Sequence, residues 1–339
     1  MPEQAPAEEQ EHPHIAALLP IKSPAFGKLA DAVRLGVMAG ASADGANALP
    51  LVFYPTGDDP RELVNTYDRA LRLGARLVIG PLTRSDLTTI ATSNAVTVPT
   101  LALTIPDSDV LLPDRMYAFG IQIESEARQI AQLAGSQGRR RAVIIASDNT
   151  LSRRVASAFA EDWNRSGRLV VDQYTYTIDQ AGLKRIKESI TIGNADMIFL
   201  ALDAARARAM RPYLGKILPT FGTSQVYMAA GEVVGRYDLN GVTFVDMPWL
   251  LMPDHPAVIA YPRPQGVFTT YEQERLYALG IDAWRIGQSL LQYGFNEAGT
   301  LDGVTGYLTP GPARQFIREA VAAQFVQGEP RLLNPVSGR

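Results

Sequence analysis

The chain has 339 residues, 46% apolar and 20% charged, with 32 Lys and Arg against 35 Asp and Glu for a net charge of −3. That length exceeds one hydrophobic core and predicts two domains, while the balanced charge leaves no basic face or stripe for nucleic acid. Cysteine is absent, which excludes disulfides, thiolate catalysis and thiolate metal sites together, and no apolar run approaches the ~18–20 residues needed to cross a bilayer as a helix.

Residues 1–13, MPEQAPAEEQEHP, are acidic and rich in Pro, Gln and Ala, and read as a disordered linker continuing a longer protein. From residue 14 an alternation sets in. HIAALLP (14–20) is an apolar strand, and Leu29, Val33, Gly36 and Val37 follow at helical spacing. The pattern repeats through LPLVFYPTG (49–57), DPRELVNTYDRALRLG (59–74), RLVIGPL (76–82), TRSDLTTIATSNA (83–95) and VPTLALT (98–104). Near-continuous apolar strands alternating with such helices predict βαβ units and a parallel sheet covered on both faces.

The same grammar restarts at IESEARQIAQLAGSQG (123–138) and runs through RRRAVIIASDN (139–149), TLSRRVASAFAEDWNRSG (150–167), RLVVDQYTYT (168–177), AGLKRIKESITIG (181–193), ADMIFLALD (195–203), AARARAMRPYLG (204–215) and LPTFGTS (218–224). Gly74, Gly138, Gly167, Gly193 and Gly215 stand where helices need a left-handed C-terminal cap. A second parallel sheet is the simplest account. After an irregular, Pro-rich stretch comes a long helix over 269–294 with an apolar stripe through Leu276, Leu279, Ile281, Trp284, Ile286, Leu290 and Leu291. The last segment, 314–325, has helical composition but follows a Gly-Pro turn and a strand-like partner, so a hairpin is preferred, with Ile317, Glu319 and Val321 on one face.

The chemistry-bearing motifs are sparse. Of three histidines, His12 and His14 fall at the N-terminal edge and His255 stands alone before a proline, so neither metal-ligand spacing nor a Ser-His-Asp set can be built. There is no GxSxG elbow, no phosphate loop and no GxGxxG after the first strand. A non-catalytic binding protein without cofactors is expected.

Several phrases carry a family resemblance: HIAALLPIKSPAFGKLADAVRLGVMAG, RLVIGPLTRSDL, RRRAVIIASDNTLSRRVASAFAEDW, and above all ERLYALGIDAWRIGQSL and LDGVTGYLT followed by AAQFVQGEPRLL. Together they resemble the LppC family over nearly all of 14–334; the phrases other than ERLYALGIDAW and LDGVTG are shared with type 1 periplasmic binding proteins generally. The resemblance implies an α/β fold of two doubly wound parallel-sheet lobes with a cleft between them. It also implies a periplasmic lipoprotein, held at the outer membrane by a lipid anchor absent from this chain, that regulates peptidoglycan synthesis by activating a penicillin-binding protein. An alternative stays open, a receptor for an amino acid, a peptide or a cell-wall fragment such as a muropeptide. By the same resemblance the chain passes between lobes near 121–123, 245–248 and 296–301. Lobe one is then 14–122 with 247–296, and lobe two 123–246 with 297–334.

In open parallel sheets, ligands bind outside the carboxyl ends of the strands, where helix N-termini present free N–H groups. That rule selects Ser23, Pro81, Leu82, Thr83, Ser85 and Thr104 in lobe one. In lobe two it selects Ser147, Asp148, Asn149, Asp203, Thr223 and Ser224. In amino-acid-binding relatives the loop matching Pro81, Leu82, Thr83 and Ser85 holds the ligand carboxylate, and Asp148 or Asp203 could meet an ammonium. The plainer reading stands beside this one, since Ser, Thr, Asp and Asn are also the commonest helix N-caps. Arg84 could pair with an anion or simply be solvated, and Tyr54, Tyr174, Tyr176 and Trp249 could wall a cleft or fill the core.

Overall fold

Every residue of the first strand, β1 (His14–Leu19), is buried, because its side chains alternate between two apolar layers. In the computed structural model, which describes residues 11–45, 48–107, 110–177, 179–192, 194–215, 218–227 and 236–333, β1 lies inside a five-stranded sheet with β2 (Leu51–Pro55), β3 (Ala75–Ile79), β4 (Thr100–Ala102) and β5 (Met116–Ala118). The order is β2-β1-β3-β4-β5 and every pairing is parallel. On one face Ile15, Leu19, Leu77 and Ile79 pack with Val33 and Val37 of α1 (Gly27–Asp44). On the other, Ala16, Leu18 and Val78 pack with Leu63 and Tyr67 of α2 (Pro60–Arg72) and with Leu87 and Ile90 of α3 (Arg84–Thr92).

Tyr67 is fully buried with its hydroxyl 2.7 Å from Thr100 Oγ1, and burial pushes its phenol up from 10.0 to about 12. Its neutral form is therefore favoured by folding. The stability tied to this group is fully present below pH 10 and is lost as pH rises through about 12, with a slope near 1.4 kcal/mol per pH unit. Tyr67→Phe should cost about 1 kcal/mol at neutral pH and flatten the stability profile across that alkaline window. Urea melts at stepped pH check this, and parallel profiles for both proteins would contradict it.

The first unit comprises Met1–Ile121, Ile259–Arg263 and Leu276–Ile317, and the second Gln122–Val258, Pro264–Arg275 and Arg318–Arg339. The second is built on the order β15-β14-β10-β9-β8-β6-β7. Its strands β6 (Arg141–Ala146), β7 (Leu169–Thr175), β8 (Met197–Ala201), β9 (Thr220–Gly222) and β10 (Val242–Asp246) run parallel. Helices α4 (Ile123–Ser136), α5 (Thr150–Arg165), α6 (Gln180–Ile192) and α7 (Ala204–Leu214) connect or flank them. β14 (Val321–Val326) and β15 (Glu329–Leu332) are antiparallel additions at one edge of this otherwise parallel sheet. Gly74, Gly138, Gly167 and Gly215 take positive φ after their helices, and Gly193 lies outside the described residues.

The remaining elements are α8 (Pro248–Leu251), α9 (Pro256–Ile259), the long helix α10 (Tyr271–Tyr293), and a three-stranded sheet of β11 (Leu301–Asp302), β12 (Tyr307–Pro310) and β13 (Phe316–Glu319). The segment 314–325 is thus extended, as the turn signals favoured, and Ile317 and Glu319 share the exposed face of β13.

The unit boundaries differ from the expected lobes over three stretches, one of them 264–275, which belongs to the second unit and carries Arg275 to its pairing with Asp246. Residues 247–258 belong to the second unit, because Leu250 and Leu251 pack on its core and the Trp249 indole donates to Glu274 at 2.6 Å. Residues 297–317 belong to the first. There the buried Asp282 carboxylate accepts from Val304 N (3.1 Å), Thr305 N (2.7 Å) and Thr305 Oγ1 (2.7 Å), while Leu308 and Phe316 enter the core beside Trp284. The phrases ERLYALGIDAW and LDGVTG therefore meet at Asp282. Gly36 and Gly280 mark where α1 and α10 touch: a Cβ on either would overlap a backbone carbonyl oxygen of the other helix.

Residues 1–10 of the expected linker lie outside the described residues, but the linker ends earlier than expected. His12 N donates to Leu73 O at 3.1 Å. His14 is not at a loose end but buried, with its ring stacked on Tyr54 and sharing a 2.9 Å hydrogen bond with the Tyr54 hydroxyl.

Candidate functional site

In the second unit, β6, β8 and β9 are neighbours, and their carboxyl ends bring Ser147, Asn149, Asp203 and Thr223 around one pocket of about 70 Å³. Leu151, Ser152, Val155, Ala201, Leu202 and Gln225 complete its lining. Each hydroxyl and carboxylate of the pocket, and the Asn149 side chain, has a local task. Asn149 caps α5, accepting from Ser152 N at 2.8 Å, and its amide donates to Ser147 Oγ at 2.7 Å. Ser152 Oγ accepts from Ser147 N at 2.7 Å and donates to Ala201 O. Asp203 caps α7 through Arg206 N at 2.9 Å and pairs with the Arg206 guanidinium. Thr223 Oγ1 accepts from Gln225 N at 3.4 Å. Asp148 points away to Arg153 and is exposed, and Ser224, fully buried, does not line the pocket.

In the first unit, Thr83 caps α3, accepting from Asp86 N at 3.1 Å, whereas Ser85 is exposed and its carbonyl accepts from Thr89 Oγ1. Pro81 is buried, Leu82 is half-buried, and Pro81 O accepts from Leu103 N at 2.8 Å, which ties this loop to the one carrying the half-buried Thr104. Ser23 is buried and its hydroxyl accepts from Phe26 N at 3.1 Å. Arg84 pairs with Asp107 at 3.0 Å, Tyr54 and Trp249 are core residues, and Tyr174 and Tyr176 pack against the second-unit core.

Beside the second-unit pocket lies a group of residues that sequence reasoning missed. Arg275 pairs with Asp246 (Nε to Oδ1, 3.0 Å) and Arg318 with Glu126 (2.6 Å), all four being buried. Ser224 joins the pairs, its N–H donating to Glu126 Oε2 at 2.9 Å and its carbonyl accepting from Arg275 Nη2 at 3.2 Å. Burial pushes the Glu126 carboxyl up against the pull of Arg318. Burial also works against the Arg275 charge, but Asp246 and Glu126 hold it above its ordinary range. One signal could have found this group. Ile123, Ala127, Ile130 and Ala134 form the apolar stripe of α4, and Glu126 sits on that same face.

Among the described residues no group of three or more His, Asp or Glu is placed to hold a metal ion, and no helix is long and apolar enough to cross a membrane.

Two α/β units with these parallel sheets and strand-end loops define the type 1 periplasmic-binding-protein fold. A Chromobacterium violaceum ATCC 12472 structure described as a "putative branched-chain amino acid ABC transporter" superposes with a TM-score of 0.79 at 37% identity, over 93% of this chain and 100% of that one. The LpoA (YraM) C-domain of Haemophilus influenzae, described as a regulator of PBP1A, matches with a TM-score of 0.76 at 22% identity, over 95% and 100% of the two chains. The family model described as "LppC putative lipoprotein" matches residues 6–328. The chain belongs to the LppC family. Among curated relatives, the penicillin-binding protein activator LpoA of Pectobacterium parmentieri (strain WPP163) is 26% identical over 85% of this chain, and that of Dickeya chrysanthemi (strain Ech1591) is 26% identical over 86%. This chain spans about half, 48%, of the length of each.

Proposed function

We propose that this chain is a non-catalytic domain of a periplasmic lipoprotein, anchored at the outer membrane, that binds a penicillin-binding protein and raises its peptidoglycan synthase activity by favouring a competent conformation. The carrying observation is the family match over residues 6–328, together with relatives named as penicillin-binding protein activators. The local use of every pocket hydroxyl and carboxylate described above supports a scaffold in preference to a reaction centre. Immobilised domain should retain a peptidoglycan synthase from a detergent extract of penicillin-binding proteins, and adding the domain should speed glycan polymerisation by that synthase. Absence of both effects, with the domain and with a longer chain carrying its upstream region, would remove this reading.

The pocket at the ends of β6, β8 and β9 favours a second reading, a receptor for an amino acid, a peptide or a muropeptide. Ser147, Asn149, Asp203 and Thr223, which line this second-unit pocket, would meet the polar groups of its ligand. In the first unit, taken by itself, the loops carrying Ser23, Pro81, Leu82, Thr83, Ser85 and Thr104 would be the candidates for an anionic group. Calorimetric titration with amino acids and muropeptides separates the readings, since heat from a one-to-one complex supports only the receptor.

A further inference from the structure

We propose that an open groove in the first unit, lined by Tyr117, Phe295, Asn296, Asp114 and Arg314, is a binding site for a neutral saccharide. The groove offers about 530 Å³ and is open to solvent, so a ligand there would lie along the surface and stay partly hydrated. None of the groove's lining residues belongs to the strand-end loops considered above, and it needs no penicillin-binding protein.

Three features select the ligand class. The first is an aromatic surface. The Tyr117 and Phe295 rings stack at 5.1 Å and 14°, and Phe316 braces Phe295 edge-on at 5.2 Å. Phe316 is core, but Tyr117 and Phe295 are only half-buried and reach the groove. A ring face at a wet rim accepts the flat C–H face of a pyranose through dispersion. The second is free hydrogen-bonding capacity: among the described residues, neither the Tyr117 hydroxyl nor the Asn296 amide has a partner. Asn296 is exposed and Tyr117 half-buried, so water serves both groups in the free protein and ligand hydroxyls can replace it. The third is charge balance. Arg314 pairs with Asp114 at 2.7 Å and also donates to Leu112 O at 2.7 Å. The rim therefore offers donors and acceptors together with no net charge to select an ion, which suits hydroxyl and acetamide groups.

The backbone holds Arg314 there at some cost. The turn between β12 and β13 places Ala313 at φ 52° and Arg314 at φ 58°, a region costing an L-residue roughly 1–2 kcal/mol. Glycine would relieve that strain at either position, but glycine at 314 would have no guanidinium to place at the rim.

The test uses saturation-transfer NMR and calorimetry on the whole chain with N-acetylchitotriose and cellotriose. At least one trisaccharide should receive saturation on its ring C–H protons. Tyr117→Ala should weaken it about tenfold, the value of an aromatic contact of this kind, while Tyr117→Phe keeps most of the affinity. Asn296→Ala should weaken chitotriose more than cellotriose if the amide reads the acetamide. Thermal melts establish that each variant is folded; should Tyr117→Ala fail to fold, Asn296→Ala and Arg314→Ala carry the test. No binding of either sugar at millimolar concentration, or affinity unchanged in every folded variant, would overturn the proposal.

Discussion

Arg275→Met is expected to destabilise the second unit by about 3–5 kcal/mol, the usual consequence of leaving one partner of a buried ion pair behind. Asp246 has no exposed surface and would be left buried without a counterion, while the Ser224 and Tyr227 carbonyls would lose the Arg275 donor. The loss should come mostly from the orphaned carboxylate and not from the missing bond. Arg275→Met combined with Asp246→Leu should therefore recover much of the stability, a coupling that a double-mutant cycle isolates. Urea unfolding of both singles and the double decides the matter. A single variant within about 1 kcal/mol of wild type would show that water or rearrangement reaches Asp246.

Asp282→Ala is expected to have a comparable effect in the first unit. Its carboxylate is the acceptor for the Val304 and Thr305 N–H groups and for the Thr305 hydroxyl, and it also faces Arg285 at 3.2 Å. Burial pushes this carboxyl up, opposed by those same contacts. Each buried donor left unsatisfied costs about 1–3 kcal/mol, so a loss of at least 3 kcal/mol is expected. The damage should be local as well as global. Amides 304 and 305 should exchange with solvent far faster in Asp282→Asn than in wild type, although asparagine preserves the shape. Unchanged protection at both amides would mean that the loop is held by something other than Asp282.

The contrast between these two residues and the helix caps shows what a single sequence exposes. Thr83, Asn149 and Asp203 could be picked out as caps because a cap is a local event, decided within three residues of its partner. Ser147, Asn149, Asp203 and Thr223 could be grouped because the rule for parallel sheets places all such loops at one end of the strands. Thr83 and Ser85, two hydroxyls two residues apart, look alike until the helix phase decides that Thr83 reaches back to Asp86 N. Glu126 and Arg318 are 192 residues apart, and Asp282 is 22 from Val304. Nothing local links such pairs, and a charged residue on an apolar stripe is easily dismissed as an imperfection in the pattern. The boundary error at 297–317 has the same source, since β12 and Phe316 are assigned by what they bury.

The positions of the two arginines also bear on the order in which the protein can assemble during synthesis. Glu126 and Asp246 belong to the first long segment of their unit, whereas Arg275 and Arg318 arrive on two later segments, separated by most of the residues that finish the other unit. A nascent chain that has reached residue 263 thus holds two carboxylates in a half-built core with neither cation yet made. Vectorial folding of this unit should stall in an open, protease-sensitive state until 318–333 emerge, and the unit that starts earlier in the chain should become protected first.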